Sequence, residues 1–276
     1  IVNGTTNYIL TKMSIDKREF SEALAEAQAL GYAEADPSAD VEGLDAARKI
    51  AILASIAFQT RIPMESVYVE GITKITSLDI LYAEELGFTI KLLGIAQESE
   101  QGIEVRVHPA MLPVSHPLST VNDVYNAVFV EGDGVGQTMF FGPGAGKLPT
   151  GSSVVGDLIL VAKNIQLGIT GKLTGCTCFY KKEILPIGKL SSSYYLRLLV
   201  QDQPGVLAKI AGILAKNNVS IASVLQKRTI GDLAEIVLVT HQVIEENFSK
   251  ASKAIKTLSP VKEIESVIRV ELGTND

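Results

Sequence analysis

Near the C-terminus, strand-like and helix-like patterns alternate in an order that few folds accept. Tyr195-Leu196-Arg197-Leu198-Leu199-Val200 reads as a strand. Pro204-Gly205 opens a helix with Val206, Leu207, Ile210, Ile213 and Leu214 on one face, the repeat of a half-buried helix. Strands follow over 219–226 and 234–240, then a helix over 246–258 and a last strand over 267–270. The order βαββαβ is that of a ferredoxin-like split βαβ unit of about 80 residues. With 276 residues in all, a second domain is expected ahead of it.

That leading part is α/β of mixed type. Residues 1–60 carry helical spacing in Tyr8, Ile9, Leu10 and Met13, then in Phe20, Leu24, Ala27 and Leu30, with Gly31 as a stop. A third helix is expected from about Val41 to Phe58, capped by Asp36 or by Asp40. Further on, 67–69, 90–96, 103–107 and 127–130 read as strands and 77–87 as a helix ending at Gly87. Gly132-Asp133-Gly134 marks a hairpin turn with 137–141 as the return strand. An apolar helix is expected over 152–167. The domain reading is 1–170, a linker over 171–192, and 193–276.

Composition excludes several classes. Lys plus Arg total 25 against 31 Asp plus Glu, a net charge of −6, so no basic excess exists to neutralise a nucleic acid. No apolar run reaches the roughly 18 residues of a membrane span; 154–162 is interrupted by Asp157 and bounded by Lys163. Cys176 and Cys178 are the only cysteines. They make no disulfide framework, which fits a reducing, cytoplasmic setting. The chain opens Ile-Val-Asn-Gly, without Met and without a signal-peptide pattern, so it is expected to be cut from something longer.

Glu34-x-Asp36-Pro37-x-x-Asp40-x-x-Gly43-x-Asp45-x-x-x-Lys49 is the densest cluster of chemistry-bearing residues. Asp45 and Lys49 stand four apart, so they share one helix face. If the loop folds over the first turn, several carboxylates and one ammonium converge. Such a cluster can hold the amino group of a small zwitterion and place a lysine for proton transfer. The competing reading is a capping loop with an exposed ion pair worth about 0.3–0.5 kcal/mol. Asn3-Gly4-Thr5-Thr6-Asn7 resembles a helix start whose amides can hold an anion, or a plain cap.

Other motifs fall away. Gly146-Lys147 has Phe141 and Leu148 where a phosphate loop needs Gly and Ser/Thr. No Gly-x-Gly-x-x-Gly fingerprint occurs. The glycines of 142–147 suit a close backbone crossing. His108 and His116 precede proline and read as extended loop positions. No grouping has zinc spacing, so no metal is expected, and Cys176-x-Cys178 reads as a passive thiol pair in the linker.

Asn3 to Leu10 resembles the start of the homoserine dehydrogenase catalytic domain, and the stretch from Gly31 to Lys49 resembles that family's most specific segment. His108-Pro109, His116-Pro117-Leu118 and Gly142-Pro143-Gly144-Ala145-Gly146 are similar to its later motifs. Residues 194–270, with Asp202-Gln203-Pro204-Gly205-Val206-Leu207, look like an amino-acid-sensing ACT domain.

The resemblance implies NAD(P)-dependent interconversion of L-homoserine and L-aspartate 4-semialdehyde, a step of threonine and methionine biosynthesis. It implies Lys49 and Asp45 as catalytic residues, with Glu34, Asp40, Tyr32, Gly4 and Thr5 binding substrate. It also implies an L-threonine effector held at Asp202, Gly205, Val219, Ser220 and Ile221, between neighbouring ACT domains, and a homodimer or homotetramer. The family's N-terminal nucleotide-binding domain is not among these residues. The expectation is therefore a chain incomplete for catalysis alone, with NAD(P) bound mainly by that domain. The alternative is an amino-acid-sensing binding protein without catalytic activity, which has no use for a proton-transfer lysine beside its pocket.

Overall fold

The computed structural model describes residues 1–169 and 178–271. The chain begins with four helices: α1 (Gly4–Ile15), α2 (Phe20–Ala29), the single turn α3 (Ser38–Val41) and α4 (Leu44–Ala57). The helix expected over 41–58 is thus broken. Gly43 intervenes at φ +83°, and a Cβ there would lie about 3.2–3.3 Å from Val107, Val69 and the Glu70 carbonyl. Only glycine meets both the left-handed backbone and the close approach. Neither candidate cap takes the expected place: α3 is entered through Pro37 and α4 through Gly43, and Asp36 accepts a hydrogen bond from Ser38 N at 3.1 Å.

Next come β1 (Tyr68–Val69), α5 (Ser77–Glu85), β2 (Phe88–Ser99) and β3 (Gly102–Pro113). β2 and β3 pair antiparallel along their whole length, well beyond the expected 90–96 and 103–107. His108 therefore lies in mid-strand opposite Leu93, fully buried, and not in a loop. A residue before proline is biased to extended backbone, and a strand satisfies that bias as well as a loop does. The hairpin β4 (Tyr125–Gly132) and β5 (Gly136–Pro143) stands as its own two-stranded sheet. The close backbone crossing expected of the glycine loop is instead an approach to a side chain: a Cβ on Gly144 would lie 1.8 Å from the Asn126 side-chain nitrogen. α6 (Lys147–Gln166) follows, and none of its residues is buried.

The C-terminal unit is β6 (Ser191–Gln201), α7 (Val206–Lys216), β7 (Ile221–Ile230), β8 (Leu233–Thr240), the two-residue β9 (Val243–Ile244), α8 (Glu245–Lys256) and β10 (Val261–Val270). The βαββαβ order stands. α7 buries Val206, Ile210 and Leu214, while Leu207 faces outward. Its core of Tyr194, Leu196, Leu198, Ile210, Phe248 and Ile255 is separate from the larger one under α1, α4, β2 and β3.

The sheets do not stay separate. Strand order is β1-β3-β10-β6-β8-β7, with β2 also on β3. The closing strand β10 pairs parallel with β3 at Arg269 against Ala110 and Val270 against Met111. The sheet is mixed, as expected, but its membership differs from the strands read over 67–141: β4 and β5 lie outside it and the C-terminal unit extends it. A buried ion cluster crosses the same seam. Arg197 donates to Asp79 of α5 at 2.9 Å and to Glu235 of β8 at 3.2 Å, and Tyr82 donates to Glu235. All three charged residues are buried.

Of the expected linker, Cys176 and the rest of 170–177 lie outside the described residues. Beyond them the chain is docked: Tyr180 bridges to Thr60 and Ile184 to Ile103, and β6 begins already at Ser191. Among the described residues no helix is long and apolar enough to cross a membrane.

Candidate substrate site

Asn3 organises the site from the N-terminus of α1. Its carbonyl-type oxygen accepts from Thr6 N at 2.9 Å, capping the helix. Its amide nitrogen then donates in two directions, to Asp40 at 2.7 Å and to Asp45 at 2.8 Å. One neutral side chain thereby joins the acidic loop to the first turn of α4. Neither carboxylate is left as a bare charge facing the other.

Lys49 completes the cluster. Nζ donates to Asp45 Oδ2 at 2.7 Å and to the Val2 carbonyl at 3.0 Å. An ammonium has three N–H bonds, so one remains for a ligand. The lysine side chain keeps 47% exposure and the aspartate 28%, so the pair is partly open to solvent and not sealed in the core. Ala46, Ala47 and Ile50 of the same helix are buried in the core and leave the pair on the outer side.

Further residues shape the rim. Thr5 Oγ1 donates to the Tyr32 carbonyl at 2.6 Å, tying α1 to the loop after α2. The Tyr32 ring meets Tyr8 edge-on at 5.0 Å. Gly4 permits close packing, because a Cβ there would lie 2.9 Å from the Val124 carbonyl. The structure therefore brings Gly4, Thr5, Tyr32, Asp40, Asp45 and Lys49 together. It does not bring in the Glu34 carboxylate, which is exposed and makes no hydrogen bond or ion pair among the described residues; only its backbone carbonyl is held, by Gln28 at 3.0 Å. Asp36 serves Ser38 alone.

Two residues escaped sequence reasoning. Asn3 was legible only as a cap, since nothing in its spacing announces the bridge to Asp40 and Asp45. Lys91 interrupts the apolar run Ile90-Lys91-Leu92-Leu93, a signal that a charge is needed inside; it is 2% exposed.

The effector candidates divide. Asp202 and Gly205 lie where β6 passes into α7, and Gly205 enters that helix at φ +89°. Val219, Ser220 and Ile221 lie where β7 begins, opposite Thr240. The register puts these groups at opposite ends of the sheet: Gln201 pairs with Leu233, and Leu233 with Ile230, the far end of β7. The 11 residues of α7 separate them by about 16 Å. Val219 is buried, so only its backbone can meet a ligand.

Comparison with known proteins places the chain in a family. A family model described as homoserine dehydrogenase matches residues 1–159, and one described as ACT domain matches 194–260. The chain is 48% identical over 274 residues to the homoserine dehydrogenase of Bacillus subtilis (strain 168), covering 98% of this chain and 63% of that protein. It is 47% identical over 283 residues to that of Mycobacterium tuberculosis (strain H37Rv), with the same coverage. A crystal structure of a homoserine dehydrogenase from Thiobacillus denitrificans superposes with a TM-score of 0.92 at 43% identity, over 98% of this chain and 63% of that one. The enzyme of S. aureus superposes at 0.73 with 34% identity and the same coverage. The chain thus spans about 63% of the length of the relatives it matches. With an ACT domain following its catalytic-type domain, the chain belongs to the homoserine dehydrogenase family.

Proposed function

We propose that the cluster of Asn3, Asp40, Asp45 and Lys49 binds L-homoserine or L-aspartate 4-semialdehyde and serves their NAD(P)-dependent interconversion in the cytoplasm. The observation that carries this is the pair of bonds to Asp45, from Lys49 at 2.7 Å and Asn3 at 2.8 Å. The acidic side of the cluster, Asp40 and Asp45, suits the substrate ammonium, and Glu34 on the exposed rim is proposed as a further carboxylate for it. The first-turn amides of α1 suit its carboxylate. The remaining N–H of Lys49 suits the oxygen at C4. There the lysine holds or moves a proton as hydroxyl and carbonyl interconvert, and Asp45 keeps it oriented.

The reaction needs NAD(P) to carry the hydride. The described residues do not fit a dinucleotide: the parallel pairings are the short ones of β3 with β1 and β10, and no glycine fingerprint follows a strand. We place the nucleotide mainly against a unit other than these residues. The bare apolar face of α6, with Val154, Leu158, Val161 and Ile165 all exposed, supports that placement. The domain reading of 1–170, 171–192 and 193–276 is part of the same proposal.

For the ACT unit we propose L-threonine as effector, at Asp202, Gly205, Val219, Ser220 and Ile221. The separation of these residues within one chain favours a pocket completed by a second copy, and hence a homodimer or homotetramer. Exposed Phe140 and Phe141 on β5 offer a second contact for such assembly. Calorimetric titration tests both sites. Saturable heat with L-homoserine and, separately, with L-threonine is expected; silence with homoserine removes the first assignment and silence with threonine the second.

A further inference from the structure

We infer that Lys91 is a positioning residue for the substrate end of α1, an inference resting on the reading of that end as the homoserine site. Lys91 lies on β2, and its ammonium makes three bonds: to the Val121 carbonyl at 2.6 Å, Asn122 Oδ1 at 2.9 Å and Asn7 Oδ1 at 3.3 Å. Two acceptors belong to the loop of residues 121–124 ahead of β4, and the third to the second turn of α1. The same asparagine donates to the carbonyls of Val121, Asp123 and Tyr125 at 3.1, 3.0 and 3.2 Å. Thr11 Oγ1 accepts from Asp123 N at 3.0 Å.

This stitching sets where the loop lies, and the loop sets where α1 begins. The Val124 carbonyl packs so closely on Gly4 that no Cβ fits between them. Gly4 adjoins Asn3, and Asn3 holds both Asp40 and Asp45. Lys91 reaches the site through that sequence of contacts and touches none of the proposed reacting atoms. A buried ammonium without a carboxylate among its bonding partners is costly. Burial pushes Lys91 down to about 8, with the Asp123 carboxylate opposing that shift. A hydrophobic residue would fill the space more cheaply, which argues that the three bonds are what the position requires.

The test replaces Lys91 by Met (K91M) and, as a milder variant that removes one acceptor, Asn122 by Ala (N122A), in the protein that carries this chain. KM for L-homoserine is expected to rise roughly tenfold in K91M and about threefold in N122A, with kcat and the nucleotide KM changing far less. A role in stability alone lowers the active fraction, so kcat falls while KM holds; that result would overturn the inference. The amide resonances of Gly4, Thr5 and Thr6 are read in parallel. They are expected to shift in both variants whichever substrate the site takes, so a wrong substrate assignment leaves them shifted. Unshifted resonances in both variants overturn the positioning role.

Discussion

The Lys49 ammonium sits 2.7 Å from the Asp45 carboxylate across one turn of α4. On an isolated helix such a pair contributes only about 0.3–0.5 kcal/mol. Here Asn3 donates to the same Asp45 oxygen, and Val2 supplies a second acceptor for the lysine. The pair is therefore fixed by the chain segment entering α1, which turns a surface ion pair into an oriented one.

Replacing Asn3 by Ala (N3A) removes the cap on α1 and the bridge between Asp40 and Asp45 together. Loss of the cap is expected to cost about 1 kcal/mol of stability. The affinity for L-homoserine should fall by more than the stability loss explains. Denaturant unfolding and calorimetric binding, compared in the same variant, check this.

Gly71 has no room for a methyl group. A Cβ there would stand 2.1 Å from the Val41 carbonyl and 2.4 Å from Glu42 Cα, both backbone atoms. G71A must push α3 away from the loop after β1. A loss of about 1–3 kcal/mol is expected from overpacking, with weakened homoserine binding, because Asp40 lies on that same turn. A melting temperature equal to the parent's contradicts the packing described.

Arg197, Asp79 and Glu235 join α5 to the ACT sheet inside the protein. R197M leaves the buried Asp79 carboxylate without its cation and Glu235 with Arg228 alone, at 3.1 Å. Removing one partner of such a cluster costs on the order of 3–5 kcal/mol. Thermal unfolding should show it as a large drop. Tyr82, whose hydroxyl donates to Glu235 and is pushed up to about 12 by burial, stays protonated throughout the working range and cannot compensate.

Lys91 gives the clearest pH dependence. Its folded value of about 8 lies below its ordinary 10.5, so the unfolded chain holds that proton more tightly. The resulting penalty is complete below pH 8 and is relieved as pH rises from 8 towards 10.5. Wild-type stability relative to K91M is therefore expected to grow across that window, by up to about 3 kcal/mol at about 1.4 kcal/mol per pH unit. Urea midpoints at pH 7.5, 9 and 10 check the slope. A difference that is flat in pH contradicts the burial assigned to the ammonium.

Much of the fold was legible because its signals are local. Apolar periodicity marks α1, α2, α7 and α8, and glycines at Gly31 and Gly87 mark the stops. The joining of β10 to β3 was not, since pairing between strands about 160 residues apart leaves no trace in either one's own pattern. Nor was the break at Gly43: the residues on both sides are good helix formers, and only the nearness of Val69 and Val107 forces the turn. In the site, Asp45 and Lys49 follow from four-residue spacing. The part of Asn3 depends on α1 meeting α4 in space. Glu34 was read into the cluster from its place on the loop, yet the loop turns its carboxylate outward.

The most direct test of the account is the kinetics of K49A in the protein that carries this chain, measured with L-homoserine and NAD(P) beside calorimetric homoserine binding. Proton handling by Lys49 predicts that kcat falls roughly 100-fold or more while the homoserine Kd changes only a few-fold. A kcat equal to the parent's, with binding intact, would show that the lysine is no more than a surface ion pair and would contradict the assignment.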